Sequence, residues 1–112
     1  LAHRMARADE ALNEMARAAA HRHAIPEPKG RAFAPSLFDE PVEILIRVLH
    51  ATISVVSGEG ELMLHRLENR ALDLLVARTR QKALKLTIGG AILSLAANGC
   101  LKITPESLRR KV

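Results

Sequence analysis

The sequence predicts an α+β domain, three helices packed with a small antiparallel β-meander, and three observations predict it. Leu84, Leu86 and Ile88 alternate with Lys85 and Thr87, the period-two pattern of a strand with one buried face. Gly89-Gly90 interrupts the pattern, which resumes at Ala91, Leu93 and Leu95 as far as Asn98-Gly99, a pair suited to a type I′ turn. Upstream, three stretches carry apolar residues at helical spacing, separated by Pro- and Gly-bearing segments.

Taken in order, Leu1, Met5, Ala8, Leu12, Met15 and Ala19 mark one face of an amphipathic helix over about 1–22, rich in alanine and therefore high in intrinsic propensity. The segment 25–30 is a loop set by Pro26, Pro28 and Gly30, and 31–35 is a candidate edge strand. A second helix spans about 40–56, with Pro41 suited to its first turn. Its buried stripe is Val42, Leu45, Ile46, Leu49, Ile53 and Val56. So many β-branched residues mean that packing, not propensity, must hold it. The run Ser57-Gly58-Glu59-Gly60 ends it. A third helix covers about 61–80, with Leu64, Leu67, Ala71, Leu74 and Leu75 facing inward. The meander occupies about 83–104 and stops at Thr104-Pro105. Residues 1–24 read as a connecting helix that folds as one unit with 25–112. The start at Leu1, inside a helical pattern, reads as a segment of a longer protein.

Hydrophobic residues make up 48% of the 112 and charged residues 26%, an ordinary globular balance. The lone Cys100 cannot form an internal disulfide, which points to a reducing cytoplasm; it reads as a small apolar residue after a turn, not a nucleophile. No apolar run is long enough to span a membrane. Phe33 and Phe38 are the only aromatic residues, a poor platform for stacking single-stranded bases.

The net charge of +5 is one-ended. Residues 81–112 hold six basic side chains and one acidic one, whereas residues 36–80 are net acidic. A polyanion-binding face and a set of edge lysines that discourage strand aggregation both account for this pattern on composition alone. The basic residues singled out are Arg66, Arg70, Arg78, Arg80, Lys82 and Lys85, then Lys102, Arg109 and Arg110; Arg78, Arg80, Lys82 and Lys85 are expected to form a continuous ridge. His21 and His23, two apart, diverge on a helix and make a poor metal pair. The chain has no Walker loop, GxSxG, HExxH or CxxC, so no catalytic residue is assigned. By its residues it is a basic binding or interaction module.

Three stretches then resemble the middle, substrate-recognition domain of bacterial tRNA(Ile) lysidine synthetases, the MesJ cell-cycle protein family. LAHRMARADEALNEMA (1–16) is similar to the family's connecting helix. PVEILIRVLHATIS (41–54), followed after a glycine turn by HRLENRALDLL (65–75), resembles its arginine-bearing helices. LKLTIGGAILSL (84–95) resembles its Thr-Leu-Gly-Gly strand pair, with Ile88 in place of Leu. The resemblance implies tRNA processing by an ATP-dependent RNA-modifying ligase that attaches lysine to C2 of the wobble cytidine of tRNA(Ile). It places ATP and Mg in an upstream catalytic domain of the same chain, with no cofactor or metal in this segment. The family's Ser-Gly-Gly-x-Asp-Ser loop has no counterpart here. The partners implied are tRNA(Ile) and that upstream domain, with a homodimer as a further candidate. The alternative reading is a non-catalytic structural or dimerisation domain with no nucleic-acid role.

Overall fold

A computed structural model describes residues 2–58 and 64–106, with side chains described for 6–58 and 66–106. Of three helices, α1 (Ala2–His23), α2 (Val42–Ser57) and α3 (Leu64–Thr79), α2 and α3 pack on one face of an antiparallel sheet and α1 packs against α2. The strands are β1 (Ala24–Ile25), β2 (Arg31–Phe33), β3 (Leu84–Ile88), β4 (Ala91–Leu95) and β5 (Leu101–Pro105), in the order β1-β2-β5-β4-β3. The expected α+β architecture is therefore the observed one. The meander is present, and β2 extends it. Because β1 adds beyond it, β2 is interior and not an edge, with Phe33 opposite Leu101 and Arg31 opposite Ile103.

The core forms where α2 crosses the sheet. Leu45, Leu49 and Ile53 of α2 are fully buried, and they meet Leu93, Leu101 and Ile103 from β4 and β5 with Leu67 and Leu74 from α3. Each such side chain contributes about 1.5–3 kcal/mol on burial, which is what keeps a helix rich in Ile and Val helical. Three stripe positions are corrected. Val42 and Met15 are half exposed, because α2 begins only after Pro41, its N-cap, and because α1 meets α2 through Ala16 and Ala19. Those small side chains let the two helices approach closely, and Met15 lies a step around the helix from them. Residues 6–11 of α1 are all exposed, including Ala8.

Between β2 and α2 the chain forms a short 3-10 helix, Pro35–Asp39. It delivers Leu37 and Phe38 to the core. His23 at the end of α1 anchors it: Nδ1 lies 2.7 Å from Ser36 Oγ and Nε2 lies 2.7 Å from Glu40 Oε2. Arg22 Nη2 donates to the same carboxylate oxygen at 2.8 Å. Hydrogen bonds from Arg22 and His23 hold the Glu40 carboxyl below its ordinary pKa against the opposing effect of burial. No group of three or more His, Cys, Asp and Glu that could hold a metal occurs among the described residues, and no helix among them is long and apolar enough to cross a membrane.

The two hairpins exchange the roles expected of their turns. Gly89 and Gly90 have φ of 59° and 81°, the pair of positive values a two-residue type I′ turn requires, and Ile88 sits directly opposite Ala91. The Asn98-Gly99 turn is instead part of a three-residue loop closed by Ala96 N–H to Cys100 O (2.9 Å). Gly99 N–H donates to Ala96 O, and only Gly99 has positive φ. This is the type I turn plus glycine bulge. Asn98 contributes through its side chain, whose Oδ1 accepts from Cys100 N–H at 3.0 Å.

Candidate nucleic-acid interface

The sheet register decides which basic side chains share a surface. Leu84, Leu86 and Ile88 point toward the helices, so Lys85 and Thr87 point the other way. Lys85 lies opposite Ser94, and Ser94 lies opposite Lys102. One row on the helix-free face therefore reads Lys85–Ser94–Lys102, and the next reads Thr87–Ile92–Thr104. With strands about 4.8 Å apart, the two lysine Cα atoms are about 10 Å from each other. Both lysines are exposed, and neither pairs with a carboxylate among the described residues. Beside Lys102 runs a groove of about 300 Å³ walled by Ile25, Pro26, Ala32, Ser94 and Cys100, with Glu27 as its one carboxylate.

The remaining predicted residues fall in three places. Arg66 and Arg70 are exposed on the outer side of α3, where they line a notch against Thr87 and Ile88 of edge strand β3. Arg70 Nη1 also reaches Asp73 Oδ2 at 3.3 Å, an exposed pair three residues apart and worth little. Arg80 and Lys82 are exposed in the α3–β3 connection, where Gln81 takes a positive φ of 56° and Lys82 N–H donates to Ala77 O. Arg78 sits elsewhere. Its side chain packs beneath the β4–β5 loop, where a Cβ on Gly99 would come within 2.9 Å of both Arg78 Nε and Pro35 Cβ. That Nε is buried and has no hydrogen-bond partner. The ridge expected from Arg78 to Lys85 is thus broken at its first member. Arg109 and Arg110 lie outside the described residues.

The structure brings together what linear spacing did not. Lys85 and Lys102 are seventeen positions apart in the sequence, and only the register through Ser94 makes them neighbours. Thr104 follows Lys102 by two on β5 as Thr87 follows Lys85 on β3, a signal present in the sequence; Ser94 and Asn69 carry no such local signal. A cavity of about 440 Å³ lies on the helical side, where Ala16 and Ala20 of α1 meet Ile46 and Val48 of α2. It is remote from the basic row. Arg47 stands at its rim and joins the two helices, donating from Nε to Glu43 Oε2 (2.8 Å), from Nη1 to Asn13 Oδ1 (2.8 Å) and from Nη2 to Asp9 Oδ1 (3.1 Å). Burial lowers the pKa of its guanidinium, but the hydrogen bonds to Glu43 and Asp9 outweigh that and raise it.

No family model, curated protein or solved structure matches the chain.

Proposed function

We propose that this chain is a tRNA-binding and positioning domain of a tRNA(Ile) lysidine synthetase-type ligase, with ATP and Mg handled by an upstream catalytic domain. The observation that carries the reading is the helix-free sheet face. Lys85 and Lys102 stand there on rigid strands, unpaired with carboxylates among the described residues, with a serine between them. Lysines at a fixed separation on a backed sheet neutralise phosphates and orient an RNA without reading its bases. Positioning of that kind lets a remote domain act on one nucleotide of a bound tRNA. LKLTIGGAILSL, one of the three stretches on which the family resemblance rests, forms the β3–β4 hairpin of this same face.

The test is binding of tRNA(Ile) transcript across a salt series. Engagement of Arg66, Arg70, Arg80, Lys82, Lys85 and Lys102 predicts a log–log slope of about −4 to −5. A flat slope, or no measurable tRNA binding at any salt, would overturn the proposal. One feature favours the structural alternative: α3 exposes Leu72 (54%) and Val76 (50%) side by side. Self-association that survives high salt, without tRNA binding, is what that reading expects.

A further inference from the structure

The notch between α3 and the edge of the sheet has the makings of a discrete anion subsite. It encloses about 220 Å³ and is lined by Arg66, Asn69 and Arg70 from α3 and by Thr87 and Ile88 from β3. Positions 66, 69, 70 and 73 share one helical face, so two guanidinium groups and an amide point the same way without a tertiary accident. The strand supplies more than a wall. A two-residue turn makes Ile88 and Ala91 the closing hydrogen-bonded pair, and antiparallel pairs then alternate. Thr87, opposite Ile92, falls in a pair that is not hydrogen-bonded. Its backbone N–H is therefore turned to the free edge, because among the described residues β3 has no strand on its other side.

Two guanidinium groups and a side-chain amide from α3, with the edge N–H of Thr87, form around one small hollow a donor set that suits a tetrahedral oxyanion. Among the described residues, the carboxylate that pairs with this set is Asp73, in the long and exposed contact with Arg70. We infer that this notch binds a single phosphate group of the RNA backbone, so that the bound strand passes from the Lys85–Lys102 row around the β3 edge to α3. The inference rests on the RNA-binding reading above and adds to it a specific subsite with uncharged ligands, Asn69 and Thr87.

The uncharged ligands make the test sharp. Thr87→Pro removes the edge N–H, at a position where no ladder hydrogen bond is lost, and Asn69→Ala removes the amide; neither changes charge, so each should weaken tRNA binding about 2–10-fold and leave the salt slope unchanged. Arg66→Gln and Arg70→Gln should each make the slope shallower by about 0.7–0.9. The four side chains are exposed or at the sheet edge, so unchanged melting curves serve as the folding control. Inorganic phosphate titrated into the chain should move the side-chain NMR signals of Arg66 and Arg70 ahead of those of Lys102, as expected of a preformed phosphate site. If all four variants bind tRNA as the parent does while Lys85→Gln/Lys102→Gln binds more weakly, the notch is refuted and the sheet-face reading stands. If the parent chain binds no tRNA, both fall.

Discussion

Replacing Arg47 by methionine should loosen the first half of α1 while leaving the sheet intact. Residues 6–11 of that helix are exposed throughout, so apolar burial does not hold them. What ties this half to the domain is Arg47, four-fifths buried on α2, through its bonds to Asp9 and Asn13. Methionine keeps most of the apolar stem and removes the donors. The Asp9 pair is exposed on its acidic side and is worth about 0.2–1 kcal/mol; the Glu43 pair, four residues away on the same helix, is worth about 0.3–0.5 kcal/mol. The bond to Asn13 adds about 1 kcal/mol. The expected loss is therefore about 1.5–2.5 kcal/mol in a urea titration, with m nearly unchanged. In native-state hydrogen exchange, amides before Leu12 should lose protection while those of β4 and β5 fall only by the global amount. A cycle with Asp9→Asn should show a coupling near 0.5 kcal/mol. A loss below about 0.5 kcal/mol, or uniform deprotection of α1 and the sheet, would refute the view that one arginine ties this half of the helix to the domain.

The cluster that anchors the 3-10 helix gives a pH signature. Because the folded Glu40 carboxyl titrates below its ordinary value of 4.5, its contribution is complete above that pH and disappears as pH falls through the depressed folded value. Glu40→Gln should thus be clearly less stable than the parent at pH 7, and the difference should shrink below pH 4.5 in parallel urea titrations. At the β4–β5 loop, Gly99→Ala meets both an unfavourable φ of 99° and contacts of 2.9 Å with Arg78 and Pro35, and should cost about 2–4 kcal/mol. Gly58→Ala, at φ 70° with nothing within 4 Å, should cost only about 1 kcal/mol. Equal losses at the two sites by thermal melting would show that the Arg78 contact carries no weight.

The sequence alone determined the fold class, because each decisive signal is local. Period-two alternation in 84–95, helical spacing in 42–56 and 64–75, and Gly-bearing breaks at 58 and 89–90 each fix a few backbone angles wherever the segment sits. It also determined which residues carry the excess positive charge. The face those charges occupy was not legible, since it depends on strand register. Lys85 and Lys102 become neighbours only because both lie opposite Ser94. Tertiary packing likewise turned Arg78 under the β4–β5 loop, since Gly99 leaves open the space into which its side chain fits. It also left Met15 exposed, because α2 approaches α1 along the alanines one step away. Local spacing fixes what an element is; only the packed neighbours decide which of its faces is left for a partner.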